Sequence, residues 1–323
     1  KDLESHLAWT LERREVVPKV CIRPTSLEEF ARTVTKNLRL GYRQDKSNYV
    51  YYDREEMGNI YVVVNILNKN GDSMASIGNN VPDKKLGGAF PVFQCLYPEL
   101  RYVDTTQEPK LKYGCSHLNI WSWYKYKGND TPNDADPSTL ERKGNMHTCN
   151  PTQFTPQHLN KTYEQESRGT ILMHVLQPII RHLAEVMKKQ FPKENGELEA
   201  FVTKLQYNGV SEAHPFAGVV VNVNVATITH LDPMDLYLCL VLALHACTGG
   251  ELVLEELGII INFKLGDFVI FPSTIIMHYD LHFKGLRASF AFSTDKHGKA
   301  WVRNNNSWDT NDYMKASTSN TTT

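Results

Sequence analysis

From residue 217 to residue 293 the chain is written as short β-rich segments cut by turn signals, and no other feature constrains its fold as strongly. The segments "GVVVNVNVATI", "LYLCLVLAL", "GELVLEE", "GIIINFK", "DFVIF", "TIIMHYDLHF" and "LRASFAFST" are broken by Thr-Gly-Gly, Leu-Gly-Asp, Phe-Pro-Ser and Lys-Gly. β-Branched and aromatic residues suit a pleated, half-buried surface, while Gly and Pro supply the backbone angles of turns. Such regular spacing predicts an antiparallel sandwich or barrel rather than βαβ units.

The rest of the chain frames this core. "TSLEEFARTVTKNLRL" (25–40) reads as a helix, with Ser26 and Glu29 in a capping-box pattern and Leu27, Phe30, Val34 and Leu38 on one face. "NIYVVVNIL" (59–67) reads as a strand. Residues 128–160 are rich in Asn, Asp, Pro and Thr and read as a long loop or insertion. A helix is expected over about 163–191, where Ile171, Leu172, Val175, Leu176, Ile179, Ile180, Leu183, Val186 and Met187 recur at helical steps. The resulting expectation is an α+β chain. An N-terminal α/β extension covers 1–160, a helix and a double-stranded β-helix (jelly-roll) core cover 161–300, and a polar, low-complexity tail covers 301–323.

Composition excludes several classes. A chain of 323 residues can bury a sizeable core. No apolar run is long enough to cross a membrane, so no membrane partner is expected. The opening "KDLESHLAWTLERREVV" lacks the features of a signal peptide, and six cysteines scattered over the chain do not make a disulfide framework. The cysteine usage points to a reducing compartment. With 35 basic and 36 acidic residues the net charge is −1, so an anionic partner must be met by a local basic face. Nothing indicates an oligomer.

The chemistry concentrates in "TITHLDPMDLY" (227–237) and "FPSTIIMHYDLHFKGLRASF" (271–290). Residues two apart on a strand face the same side, so His230 and Asp232 can address one point. His278 follows later, and Arg287 lies nine residues beyond it. Two His and one carboxylate on one face of a metal is the arrangement of non-haem Fe(II) oxygenases, and a jelly roll brings early and late strands together. His282 also shares the face and competes as third ligand. It lies five residues from Arg287, too close for a hairpin to separate metal from ion pair, which favours His278. A guanidinium inside a barrel needs an anion; the distal carboxylate of 2-oxoglutarate would satisfy the Arg287 fork bidentately, with Ser289 on the same face.

With these residues in place, "PFAGVVVNVNVATITHLDPMD" and "HYDLHFKGLRASFAFST" resemble the corresponding segments of the TET/JBP family of 2-oxoglutarate-dependent nucleobase oxygenases. The similarity covers about 215–295, and the compact barrel looks more like fungal or protist members. It implies Fe(II) at His230, Asp232 and His278, and 2-oxoglutarate at Arg287 and Ser289, with Asn222 a further cosubstrate contact. It also implies methylated double-stranded DNA as partner, base flipping to expose the methyl group, and a nuclear location. The scattered cysteines cannot build the Cys-rich domain of animal members. Asp235 stands where those members use Asn against the base, and Asp295 where they use His, so 5-methylcytosine and N6-methyladenine both stay open as substrates.

Two other clusters carry alternative readings. "NIWSWYKYKG" (119–128) interleaves aromatics with lysines, as a DNA-contacting stretch does, and equally fits an amphipathic strand. Cys115 and His117 mirror His147 and Cys149 across the long loop; two thiolates and two imidazoles would make a structural zinc site, although neither pair has finger spacing. The metal and cosubstrate residues alone would equally serve an oxygenase acting on protein or on a small molecule.

Overall fold

Alternation along the strands decides the layering. In Gly218–Val223, Val219, Val221 and Val223 are buried on one face, and Val220 and Asn222 point to the other. Ala288–Ser293 repeats the pattern, with Ala288, Phe290 and Phe292 on the first face and Ser289, Ala291 and Ser293 on the second. One face is built for helices and the other for a cavity.

The structure, a computed structural model, describes residues 3–39, 42–43, 47–58, 61–108, 114–119, 167–204, 211–244 and 246–296. Among these residues the helices are α1 (Leu3–Val16), α2 (Leu27–Asn37), α3 (Asp83–Leu86), α4 (Ala89–Leu96), α5 (Ser167–Gln190) and α6 (Pro192–Thr203). The strands of the first half are β1 (Cys21–Ile22), β2 (Leu38–Arg39), β3 (Tyr42–Arg43), β4 (Tyr49–Tyr52), β5 (Val63–Leu67), β6 (Ser73–Gly78), β7 (Val103–Asp104) and β8 (Gly114–Asn119). Those of the second half are β9 (Gly218–Val223), β10 (Cys239–Ala243), β11 (Ala246–Gly249), β12 (Leu252–Leu254) and β13 (Ile259–Ile261). They continue with β14 (Phe268–Phe271), β15 (His278–Asp280), β16 (Phe283–Leu286) and β17 (Ala288–Ser293).

The larger sheet runs β5-β6-β14-β10-β17-β9-β8 and the smaller β1-β4-β13-β12-β15; β11-β16-β7 makes a third, short sheet. Pairing is antiparallel except where β4 runs parallel to β1 and β13. This is the jelly-roll core of an α+β fold. Of the strands before residue 160, β1 and β4 extend the smaller sheet and β5, β6 and β8 the larger at their edges, β7 joins the short third sheet, and β2 and β3 pair with each other.

Four layers result. Helices α4, α5 and α6 cover the outer face of the larger sheet, where Leu172, Leu176, Ile179 and Leu183 meet Val219, Val221, Leu240 and Phe290. Between the sheets, Val50, Tyr52, Ile259 and Ile261 pack on Ile77, Val269 and Phe271. Helix α1 and the turn after it cover the outer face of the smaller sheet through Trp9 and Val17 against Tyr49, Val253 and Tyr279. Each such side chain, fully withdrawn from water, contributes about 1.5–3 kcal/mol.

The local expectations hold in type and shift in detail. Ser26 caps α2 by accepting from the Glu29 amide (3.2 Å), while the Glu29 carboxylate takes the Thr25 amide (2.8 Å). Helix α5 spans Ser167–Gln190, but Ile171, expected on its apolar face, is exposed. The basic stretch "DKKLGG" (83–88) opens with the short helix α3. Thr-Gly-Gly, expected as a turn, begins inside β11. The 128–160 loop, the 301–323 tail and all but Asn119 of the aromatic and basic stretch lie outside the described residues.

Candidate metal centre and cavity

At one end of the space between the sheets lies a cavity of about 500 Å³. Asn222, Ser289 and Ser293 line it from the larger sheet, and His278 and Asp280 from the smaller. A further wall is the segment 225–235, which includes His230, Asp232 and Asp235, and Phe263, Arg287 and Asp295 also line it.

His230 and Asp232 were expected on one strand, and the structure corrects this. β9 ends at Val223, and Asn224 takes a left-handed φ of 55°, which Asn tolerates better than most residues. The chain then crosses to β15, where the backbones of His230 and His278 exchange hydrogen bonds in both directions, at 3.1 and 3.0 Å. Pro233, which has no N–H to continue a ladder, follows directly, and the Asp232 amide instead donates to Ser273 O at 3.0 Å. The two residues converge through a bridge and a turn rather than through strand periodicity.

The bridge sets the imidazoles side by side, with ring centroids 4.1 Å apart. His230 Nδ1 lies 2.7 Å from Ile228 O, and His278 Nδ1 lies 3.1 Å from Ile276 O. A carbonyl only accepts, so both Nδ1 atoms carry a proton, and in the neutral imidazoles both Nε2 lone pairs face the cavity. Asp232 lies between them, with carboxylate oxygens 3.9 Å from His230 Nε2 and 3.4 Å from His278 Nε2. One ligand atom from each of the three lies within 4.8 Å of the others, and among the described residues no further group of His, Cys, Asp or Glu does so. Burial, with His278 alongside, holds the His230 pKa below its usual value. Burial is the largest single influence on His278 and works against its charge, but the hydrogen bond and negative charge of Asp232, with the Ile276 carbonyl and Asp280, together outweigh it and hold that pKa up. Asp232 is held below the ordinary carboxylate range because the two imidazoles outweigh its own burial. His282 lies outside the cluster, bonded through Nδ1 to Thr105 Oγ1 at 3.2 Å.

Arg287 is buried, 3% exposed, against the same cavity. Here a second expectation changes. Its fork does not stand open for a bidentate anion, because Asp280 Oδ1 already accepts from Nη2 at 2.6 Å and Oδ2 from Nη1 at 3.4 Å. Val225 O and Gly250 O take two more N–H groups, at 2.6 and 3.2 Å, and Nε is buried without a partner. Gly250, at φ +75°, is required here: a Cβ would stand 2.9 Å from Nε. Asn222 and Ser289 face each other across β9 and β17, with Asn222 Nδ2 donating to Ser289 Oγ at 3.4 Å.

Asp235 and Asp295 form an isolated bridge on the cavity wall. Ser273 donates to Asp235 at 2.6 Å, and burial pushes the Asp235 carboxyl up to about 6. The expected zinc quartet finds no support. Cys115 pairs with Asn222 in register and lines the cavity, nothing is described of the His117 side chain, and His147 and Cys149 lie outside the described residues.

No family model matches the chain, and no curated protein does. Among solved structures the match extends over 93% of this chain and 93% of the other, at 12% identity and a TM-score of 0.50, with "NgTET1 in complex with 5mC DNA". The chain is similar in fold to NgTET1. An oxidoreductase of the 2OG-Fe(II) oxygenase family from Burkholderia pseudomallei matches over 24% of this chain and 41% of its own, at 18% identity and a TM-score of 0.23. OsALKBH1 matches over 68% of this chain and 96% of its own, at 11% identity and a TM-score of 0.29.

Sequence reasoning missed Asp280, Thr227 and Arg14. Asp280 carried a signal: His278-Tyr279-Asp280 repeats the spacing of His230-Leu231-Asp232. Arg14 carried none, since its partners are backbone carbonyls of residues 226, 227 and 280.

Proposed function

We propose that the chain is an Fe(II)- and 2-oxoglutarate-dependent oxygenase that oxidises a methylated base in DNA. The observation that carries this reading is the His230, Asp232 and His278 cluster, with two Nε2 lone pairs and a carboxylate directed at one point beside a cavity. Two imidazoles and one carboxylate suit a divalent iron and leave positions open for other ligands. Bound there, the metal would supply oxygen activation coupled to decarboxylation of the cosubstrate.

This chain's own residues do the rest. The backbone bridge between His230 and His278 fixes the two imidazoles, and the carbonyls of Ile228 and Ile276 keep their tautomers. Arg287, Ser289 and Asn222 give the cavity a polar end for the acid group of 2-oxoglutarate. Asp235 and Asp295 stand on its wall as candidate base contacts. An ionised Asp235 accepts hydrogen bonds, which suits the exocyclic amino group of cytosine or adenine and opposes the carbonyl oxygen of thymine. The reading is therefore 5-methylcytosine, with N6-methyladenine as a second substrate.

The fold shared with NgTET1, a protein solved with 5mC DNA, supports the same class of substrate. The test is nucleoside mass spectrometry of methylated DNA incubated with the protein, Fe(II) and 2-oxoglutarate. Oxidised methylcytosine or methyladenine is expected. Succinate release that no DNA substrate stimulates would turn the reading toward a protein or small-molecule oxygenase.

A further inference from the structure

The second His-x-Asp sequence of the cavity, His278-Tyr279-Asp280, ends in a carboxylate that the proposed chemistry leaves without a role. Asp280 is 4% exposed and its side chain accepts from four donors. Arg287 Nη2 and Nη1 approach at 2.6 and 3.4 Å, the Thr227 amide at 2.9 Å and Thr227 Oγ1 at 3.0 Å. Its backbone oxygen takes Arg14 Nε at 2.7 Å. One residue thus ties together the cavity arginine, the segment leading to His230, and helix α1.

We propose that Asp280 is a positioning residue for the acid end of the cosubstrate. It grips the guanidinium by both Nη atoms, while Val225 O and Gly250 O hold the same two nitrogens from other directions. The guanidinium has one orientation, and its single unspent donor is the buried Nε–H. A carboxylate entering the cavity meets a guanidinium already fixed rather than a free fork, and shares its positive charge with Asp280. An amide cannot replace this carboxylate, because both Asp280 oxygens accept and an Asn would turn an NH₂ group toward Arg287 or toward Thr227.

This inference rests on the oxygenase reading, and the test separates the two. The Mn(II)-loaded full chain is titrated calorimetrically with 2-oxoglutarate and with 2-oxobutyrate, which keeps the 2-oxo acid end and lacks the distal carboxylate. The unmodified protein is expected to prefer 2-oxoglutarate. Asp280→Asn should narrow that preference by roughly tenfold or more, the scale of a lost charged hydrogen bond, and leave 2-oxobutyrate binding unchanged. In an Arg287→Gln background, adding Asp280→Asn should change the preference no further, because Asp280 acts through Arg287.

Should Asp280→Asn fail to fold, Thr227→Val removes only the hydroxyl donor and should narrow the preference in the same direction. An unaltered preference in the variant that folds overturns the inference, as does an equal Asp280→Asn effect with and without Arg287. A protein that binds neither 2-oxo acid overturns the oxygenase reading and this inference with it.

Discussion

Arg14→Met isolates what helix α1 contributes to the cavity. Arg14 is 3% exposed and donates from Nε to Asp280 O at 2.7 Å, and from Nη2 to Thr227 O at 2.9 Å and to Ala226 O at 3.1 Å. Met keeps most of the side-chain volume, so the loss is mainly of hydrogen bonds. Thr227 O keeps the Asp280 amide as a donor at 3.3 Å, so Asp280 O and Ala226 O bear the loss. Each carbonyl left buried without a donor costs about 1–3 kcal/mol, less where water can enter. The bond to residue 226 is only part-buried, so the total is set at about 2–4 kcal/mol, in the upper range for one substitution. In urea the midpoint should fall with the slope unchanged. The same carbonyls belong to the segment that carries His230, so Mn(II) affinity should fall as well, by about tenfold, as when support to a ligand is removed. Arg14→Lys, which keeps a charge but not the fork, should recover part of both losses. A stability loss below about 1 kcal/mol together with unchanged Mn(II) affinity would refute the reasoning and make the α1 contact incidental.

Three other outcomes follow from the geometry. Ala in place of His230, Asp232 or His278 should weaken Mn(II) binding by about 100-fold or more, while His282→Ala leaves it unchanged, as calorimetry would report; a His282 dependence would reassign the third ligand. Asp235→Ala should abolish oxidation of both amino-bearing bases while succinate is still released uncoupled, and efficient thymine oxidation by the unmodified protein would contradict the assignment. Burial outweighs Arg54 and pushes the Asp267 carboxyl from 3.8 up to about 7. A group raised on folding contributes stability below its unfolded pKa and loses it as pH rises through the folded one. Stability should therefore decline between about pH 4 and 7 more steeply than in Asp267→Asn, compared by urea midpoints across that range.

What the sequence disclosed and what it hid divide along one physical line. β-Rich runs and the turn signals between them are local, so the second-half strands are expected at "GVVVNVNV", "LYLCLVL", "DFVIF" and "LRASFAF", and β9, β10, β14 and β17 lie there. The capping pattern at Ser26 is equally local, and α2 begins after it. The convergence of His230 with His278 rests on a single bridge between residues 48 positions apart, which no periodicity encodes. Strand geometry brought His230 and Asp232 together on paper for a reason the structure does not use. The pairing of Arg287 with Asp280 was hidden because a sequence gives the arginine's need for an anion without saying which anion meets it. Edge strands such as β1 and β7 are two residues long, too short to leave any pattern.

The two His-x-Asp sequences make that line concrete. Asp232 and Asp280 each follow a histidine by two residues and both line the cavity, yet their surroundings divide their chemistry. The Asp232 side chain is 40% exposed and its oxygens lie against two imidazoles whose Nε2 atoms carry lone pairs, so its charge remains available to a cation. The Asp280 side chain is 5% exposed and already neutralised at 2.6 Å by a guanidinium, with Thr227 filling its remaining acceptor positions. A buried ion pair of this kind costs several kcal/mol to break by removing one partner, because the other charge is then stranded. Burial and hydrogen-bond saturation, rather than the tripeptide spacing the two share, separate the carboxylate that can bind a metal from the one that holds an arginine still.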